Sequence, residues 1–268
     1  MTTGLGGPTH HPTYDPADSV VRVRGLCRSL TPDAGVLAGV DLDLRAGELV
    51  GLMGRRGSGK TTLLRALAGV DHDVAGSGTV RTTAAVAVLG EDPRLLGWRR
   101  VLDNVTSGLG TGDALRRGRR ALAEVGLADR ELAWPSELDA GEQHRVALAR
   151  ALAGDPELVL ADDPFRRLDA LTQRGLHRLL RTVCENRRPA VLFVTNDVHE
   201  AITLTDRVVT LQDGRIHGDV TIRRRGGHPP VDEEYATLRS LLLARVGIGR
   251  PDLAASPITP TARRRASA

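Results

Sequence analysis

The sequence predicts a mixed α/β fold in which buried strands alternate with helices, preceded by a pair of antiparallel strands. Short apolar runs at 49–53, 158–163 and 190–195 have the length and composition of buried strands. Helix-period segments follow these runs, whereas segments 20–26 and 36–44 alternate apolar and polar residues. With 268 residues, the chain is long enough for one large domain or two modest ones.

The N-terminal elements follow from composition and periodicity. Residues 1–18 are rich in Gly, Pro, Thr and His and have no hydrophobic period, so we expect a disordered tail. Segments 20–26 and 36–44 are predicted to be half-buried antiparallel strands, because alternate residues are apolar. A turn at 46–48 then leads into the buried strand at 49–53.

Helices and strands alternate through the rest of the chain. The predicted order in the middle is a helix at 62–68, strands at 78–81 and 84–89, and a polar loop at 90–105 with an exposed Trp98 that leads into a helix. Helices at 113–125 and 143–152 follow. The order then continues with strand 158–163, helix 169–184, strand 190–195, a helix through 201, a hairpin of 207–211 and 215–217, and helix 232–246. Residues 249–268 are rich in Pro, Ala and Arg, and we expect a second disordered tail.

Bulk composition limits the classes of function. The net charge is +4, and arginine clusters at 223–225 and 263–265 are compatible with nucleic acid or an anionic membrane surface. No aromatic residues interleave with these clusters, so we predict a solvated surface and no nucleic-acid partner. Cys27 and Cys184 match no metal-binding spacing, and no apolar run approaches the ~20 residues that a membrane span needs.

The most informative segment is Gly54-Arg-Arg-Gly-Ser-Gly-Lys-Thr61, between a predicted strand and a predicted helix. It matches the phosphate-loop pattern G-x-x-x-x-G-K-[ST], in which backbone N–H groups and a helix N-terminus surround a polyphosphate. Lys60 is the only lysine in this arginine-rich chain, which indicates a position where a guanidinium does not substitute. The sequence therefore predicts a nucleoside triphosphate site with Mg²⁺ on the Thr61 hydroxyl.

Two carboxylates, Asp162 and Asp163, end the apolar run at 158–163. Carboxylates at the ends of strands in a nucleotide-binding sheet are expected to coordinate Mg²⁺ and to position the attacking water.

The phosphate loop, the segment Leu138-Asp-Ala-Gly-Glu142, the strand ending at Asp162-Asp163 and Thr195-Asn-Asp197 occur in the order found in one family. Together they resemble the ATPase subunits of ATP-binding-cassette (ABC) transporters, from about residue 20 to 246. Asp92-Pro-Arg-Leu-Leu-Gly-Trp98 and the segments 101–105 and 165–171 are most similar to importers of the aliphatic sulfonate, taurine and nitrate group.

The resemblance implies a P-loop NTPase (RecA-like) core, an antiparallel β subdomain and an α-helical signature subdomain at about 92–152, all within a domain at 19–248. It also implies a dimer with a second ABC ATPase subunit, identical or different, that encloses ATP and Mg²⁺. A separate transmembrane permease would contact the region from Glu91 to Trp98, and an extracytoplasmic substrate-binding protein would act indirectly. The chain would then lie peripherally on the cytoplasmic face of the membrane.

The resemblance also assigns roles to residues. Asp163 would orient or deprotonate water, Asn196 would contact the γ-phosphate, and Glu91 would link Mg²⁺ to the permease interface. The implied metal ligands are Thr61, Asp162 and Glu91. The implied nucleotide-binding residues are Gly54, Arg55, Arg56, Gly57, Ser58, Gly59, Lys60, Thr61, Thr62, Leu30, Asp139 and Gly141.

Six of these residues depart from the family pattern. Leu30 occupies the place of an adenine-stacking aromatic residue, Arg56 replaces a small residue, and Glu91 replaces a glutamine. Asp139 replaces the signature serine, and an ionised carboxylate accepts hydrogen bonds but does not donate them. Asp163 replaces the catalytic glutamate and is one methylene shorter, and Asn196 replaces a histidine.

Two functions from different classes remain open at this stage. The first is an energy-coupling ATPase subunit of a sulfonate-type importer, and the second is a nucleotide-binding module with little or no hydrolysis and a regulatory or structural role. A soluble cassette ATPase of translation or DNA repair is disfavoured, because the chain has neither two cassettes nor a long coiled-coil insertion.

Overall fold

The computed structural model describes residues 19–31, 34–82, 85–110, 112–224 and 228–247. The predicted tails at 1–18 and 249–268 lie outside the described residues, as does the side chain of Leu30. The predicted α/β class is confirmed. The described strands and helices are β1 (Ser19–Thr31), β2 (Ala34–Arg45), β3 (Leu49–Met53), α1 (Lys60–Leu67), β4 (Ala75–Thr82), β5 (Val86–Gly90), α2 (Val101–Thr106), α3 (Ala114–Glu124), α4 (Ala140–Ala153), β6 (Leu158–Asp162), α5 (Ala170–Arg187), β7 (Ala190–Val194), α6 (Val198–Leu204), β8 (Arg207–Gln212), β9 (Arg215–Thr221) and α7 (Asp232–Arg245).

A six-stranded sheet in the order β5-β6-β7-β3-β8-β9 forms the centre of the fold. Its first five strands are parallel and β9 pairs antiparallel with β8, which confirms the predicted hairpin. Strands β3 and β7 are buried along their whole length, as their unbroken apolar runs predict. The register sets Leu52 and Asp162 level with Val194, so the segments that follow β3, β6 and β7 begin at one edge of the sheet.

A second sheet in the order β2-β1-β4 is antiparallel, which confirms the alternating pattern of the two N-terminal strands. Its apolar face packs on α1 and on one face of the central sheet in a common core. Helices α2, α3 and α4 pack together in another core, which they share with α5 and the opposite face of the central sheet. The central sheet therefore lies between these two cores, and the loops that follow β3, β6 and β7 leave from one edge of it.

Several predicted boundaries differ from the structure, for example β1, β4 and β9, which are longer than predicted. Two further differences have a local reason. Helix α4 begins at Ala140, three residues before the predicted start at Gln143, because Asp139 caps it. Strand β6 ends at Asp162 instead of Asp163, because Asp163 adopts a left-handed backbone with φ of 49°. This conformation turns the chain away from the sheet directly after the strand.

Candidate functional site

The loop between β3 and α1 depends on glycines at positions where a side chain would collide. A Cβ on Gly54 would lie 2.3 Å from the backbone oxygen of Leu211, and Gly59 has φ of 104°. A Cβ on Gly59 would also lie 2.7 Å from Cδ2 of Leu37. The glycines therefore allow a close backbone turn directly before the N-terminus of α1, which favours an anionic ligand.

The side chain of Lys60 lies inside this loop. Its Nζ donates hydrogen bonds to the backbone oxygens of Gly54 at 2.6 Å and Arg55 at 2.9 Å. Burial lowers the pKa of the Lys60 ammonium, and the nearby carboxylates of Asp162 and Asp163 oppose this shift. Close to Lys60, the buried Oγ of Ser58 has no hydrogen-bond partner among the described residues, which leaves it available to a ligand oxygen.

Thr61 and Asp162 face each other across the first turn of α1 and the end of β6. The Oγ1 of Thr61 lies 3.5 Å from Oδ2 of Asp162. Burial raises the pKa of Asp162, whereas Thr61 and Lys60 lower it. The described residues contain no cluster of three or more His, Cys, Asp or Glu that could hold a metal by themselves. The Asp162 carboxylate and the Thr61 hydroxyl nevertheless fit Mg²⁺, which binds proteins through one or two carboxylates and completes its shell with phosphates and water.

Asp163 is half-buried beside these groups. Its backbone N–H donates to the oxygen of Val194 at 3.1 Å, which holds the end of β6 against β7. Burial raises the pKa of the Asp163 carboxyl to about 6, and the negative charge of Glu200 adds to the shift. A carboxylate whose pKa lies near neutral pH is well suited to accept a proton from water.

Glu200, in α6, is a buried carboxylate that the sequence reasoning missed. It is 5% exposed and accepts a hydrogen bond from the Thr195 hydroxyl. Its Oε1 lies 2.5 Å from Nε2 of His177, which belongs to α5. A polar residue on the apolar face of a short helix was the available signal, but its partner His177 belongs to a different helix.

Asn196 is exposed in the loop between β7 and α6. The preceding Thr195 donates its backbone N–H to Leu52 at 3.2 Å, and its hydroxyl accepts the N–H of Asp197 at 2.9 Å. These bonds fix the loop on which Asn196 stands, next to the end of β3.

Most of the predicted site residues line one cleft of about 730 Å³. Predicted residues that line it are Arg56, Gly57, Gly59, Lys60, Thr61, Thr62, Glu91, Asp162, Asp163 and Asn196. A neighbouring cavity of about 920 Å³ is lined by Gly54, Arg55 and Glu200, among others. The lining of the first cleft also includes Arg166 and Arg167, which the sequence reasoning did not single out.

Asp139 and Gly141 are not among the described residues that line either cavity. Asp139 caps α4, where its carboxylate accepts the N–H of Glu142 at 2.7 Å. Gly141 is buried, and a Cβ at this position would lie 2.7 Å from Cγ2 of Thr172 in α5. Within one chain, these two residues therefore have structural roles.

The loop before α2 presents Trp98, which is 76% exposed. The buried side chain of Asn104 fixes this loop, since it accepts the N–H of Leu96 at 2.6 Å and donates to the backbone oxygens of Leu96, Arg99 and Arg100. None of the described helices has the length and apolar character that crossing a membrane requires.

Comparison with known proteins agrees with this geometry. Residues 37–166 match the family model described as ABC transporter. The aliphatic sulfonates import ATP-binding protein SsuB 2 of Rhizobium johnstonii is 50% identical over 242 residues, which cover 90% of this chain and 97% of that protein. A protein of the same name from Nocardia farcinica is 55% identical over 240 residues, covering 88% of this chain and 97% of its own length.

Solved structures with the same fold include cbiO1 from Clostridium perfringens, part of an ABC transporter complex, with a TM-score of 0.69 and 21% identity over 76% of this chain and 89% of that one. The ATP-binding cassette MJ0796, a dimer in a post-hydrolysis state bound to ADP and Pi, has a TM-score of 0.64 and 26% identity. The match covers 76% of this chain and all of that one.

Proposed function

Because this chain belongs to the ABC transporter family, we propose that it is the ATP-binding, ATP-hydrolysing subunit that couples energy to an importer of aliphatic sulfonates or similar small anions. The observation that carries the proposal is the phosphate loop with Lys60 bonded inside it, opposite the Thr61–Asp162 pair. The relatives named as sulfonate import proteins support the choice of cargo.

The loop residues bind the triphosphate. The backbone N–H groups around Gly57 and Gly59, the Lys60 ammonium and the Ser58 hydroxyl offer donors to phosphate oxygens. Arg56 and Thr62 line the cleft and Arg55 lines the neighbouring cavity, and Leu30 is proposed to pack on the adenine.

Thr61 and Asp162 would hold Mg²⁺, with Glu91 as a further oxygen ligand near the proposed permease interface. When bound, Mg²⁺ neutralises charge that develops on the transferred phosphoryl group. The Asp162 carboxylate and the Thr61 hydroxyl, which lie 3.5 Å apart, would orient the phosphate end of the nucleotide toward Asp163.

Asp163 orients the attacking water and takes its proton. Its raised pKa places the carboxyl close to the value at which a general base works best near neutral pH. Asn196 donates an amide hydrogen bond toward the γ-phosphate from the loop that Thr195 fixes.

The proposed domain covers 19–248, with α2 to α4 within a helical lobe at about 92–152. In a dimer, Asp139 and Gly141 of one subunit would face the nucleotide of the other, so each composite site would include residues of both chains. Through a transmembrane permease the subunit would sit on the cytoplasmic face of the membrane, and a substrate-binding protein outside would deliver the cargo.

The test is steady-state MgATP hydrolysis by the purified chain, beside Lys60→Ala and the combined variant Asp139→Ser, Asp163→Glu, Asn196→His. We expect turnover that Lys60→Ala abolishes. Nucleotide binding without turnover, together with activity in the combined variant only, would instead identify a nucleotide-holding regulatory subunit. Uptake of a radiolabelled alkanesulfonate by vesicles with the permease and binding protein tests the cargo.

A further inference from the structure

Two consecutive arginines in the loop between β6 and α5 contact carboxylates of the cleft. The Nε of Arg167 lies 2.9 Å from Oε1 of Glu91, which follows β5. The Nε of Arg166 lies 3.9 Å from Oδ2 of Asp163. Each arginine therefore stands against an acidic residue that the proposed function places in the reaction.

The Arg167–Glu91 pair joins segments that are 76 positions apart in the sequence. Arg167 is 72% exposed and Glu91 is 35% exposed at their side chains. Exposed ion pairs contribute little to folding, so fold stability does not explain the pair. The effect of the Arg167–Glu91 pair is instead on the net charge of the cleft.

The described lining of the cleft contains four carboxylates, Glu91, Asp92, Asp162 and Asp163. The same lining carries five cations, Arg56, Lys60, Arg94, Arg166 and Arg167. Without Arg166 and Arg167, carboxylates would outnumber cations in a site that must accept a polyanion. The two arginines thus reverse the sign of the formal charge around the ligand.

We propose that Arg167 and Arg166 are positioning residues that permit triphosphate binding by neutralising the charges of Glu91 and Asp163. This inference rests on the proposed function, because it assumes that the cleft binds ATP. In this inference the two arginines increase the affinity for the nucleotide and do not take part in the chemical step.

The experiment measures affinities of ATP and ADP by calorimetry, with Mg²⁺ and with EDTA, for the full chain and for Arg167→Ala, Glu91→Gln and the double variant. Arg174→Ala is the matched control, since Arg174 is an exposed arginine of α5 outside the described lining of the cleft. We expect Arg167→Ala to weaken ATP binding on the order of tenfold, from one uncompensated charge at the cleft. The loss should be smaller for ADP, which lacks the γ-phosphate, and the double variant should recover most of the affinity.

Three outcomes overturn the inference. One is an Arg167→Ala affinity equal to that of Arg174→Ala, and another is the same loss for ATP and ADP. The third is a loss that persists in the Glu91→Gln background, since the arginine would then act on something other than Glu91. If the folded wild-type chain binds neither nucleotide, the proposed function fails as well, which separates that result from the other three.

The arginine at position 166 is tested by Arg166→Ala, alone and with Asp163→Asn, in the same titrations. We expect weaker ATP binding in the single variant and recovery when the Asp163 charge is also removed. An unchanged affinity in Arg166→Ala restricts the effect to Arg167 and overturns the role of Arg166.

Discussion

The carboxylate of Asp139 and the side chain of Glu142 cap the same helix reciprocally. Asp139 accepts the backbone N–H of Glu142 at 2.7 Å, and Glu142 accepts the backbone N–H of Asp139 at 3.0 Å. This capping box begins α4, whose apolar face lies in the core of the helical lobe. Asp139 replaces the serine that the family has in its signature segment, but an aspartate at this position is well suited to begin the helix.

Replacing Asp139 by alanine should destabilise the protein by about 1 kcal/mol through loss of the cap, whereas Asp139→Ser keeps a side-chain acceptor and should cost much less. Urea unfolding followed by circular dichroism measures both values. Asp129→Ala, at an exposed aspartate of the 3-10 turn Ala128–Arg130 outside the α-helices, is the control. Equal losses in the serine and alanine variants would contradict the capping role.

Lys60→Arg should lose ATP binding as completely as Lys60→Ala. The ammonium fits between the backbone oxygens of Gly54 and Arg55, at 2.6 and 2.9 Å, and a planar guanidinium is too wide for this position. Calorimetric titration with ATP measures the effect, and Arg65→Lys in the last turn of α1 serves as the reverse control. Near wild-type affinity in Lys60→Arg would show that charge alone is sufficient.

The raised pKa of Asp163 predicts a pH dependence of stability. The folded-state pKa of about 6 exceeds the reference value of 3.8, so between these values the folded chain holds a proton that the unfolded chain has released. The free energy of unfolding should therefore fall as the pH rises through this window. Asp163→Asn removes this contribution, so its stability relative to wild type should be higher at pH 7 than at pH 4.5.

Unfolding of the nucleotide-free chain in urea at the two pH values tests this expectation. Asp92→Asn, at an exposed carboxylate of the same cleft, is the control. The same stability difference between wild type and Asp163→Asn at both pH values would argue against a raised pKa.

Glu200→Gln should lower the pKa of Asp163, because the charge of Glu200 contributes to the upward shift. The pH below which ATP hydrolysis declines should then move down. The amide oxygen still accepts a hydrogen bond from Thr195, so the loop that carries Asn196 keeps this support. Hydrolysis rates from pH 5 to 8 measure the shift, beside Glu185→Gln on the exposed face of α5. An unchanged profile in a folded variant would separate Glu200 from the function of Asp163.

Sequence patterns predicted the strands well because β3, β6 and β7 are buried on both faces, so their apolar runs are unbroken. The start of α4 was missed because Asp139 was treated as part of a signature loop and not as a helix cap. Both the apolar runs of the strands and the cap of α4 are visible in the local sequence. The start of α4 was missed only because the rule for helix caps was not applied to Asp139.

The parts of the site that the sequence did not reveal are pairings over long distances along the chain. Arg167 pairs with Glu91, and His177 contacts Glu200, but neither pairing follows from a local pattern. They depend on the sheet order that places β5 beside β6 and β6 beside β7. The phosphate loop was predictable because its residues are consecutive and its geometry is local.

Trp98→Ala should weaken association with the permease and leave ATP binding unchanged. The indole is largely exposed, but the buried Asn104 fixes the backbone of its loop, so binding need not pay for ordering that backbone. A buried tryptophan at an interface can contribute about 2 kcal/mol or more, roughly a 30-fold change in affinity. Co-purification with the permease and a binding titration in detergent measure the effect.

Val70→Ala, at another exposed apolar residue, is the control. Asn104→Ala should reproduce the loss by releasing the loop, and full association of both variants would place the permease contact elsewhere.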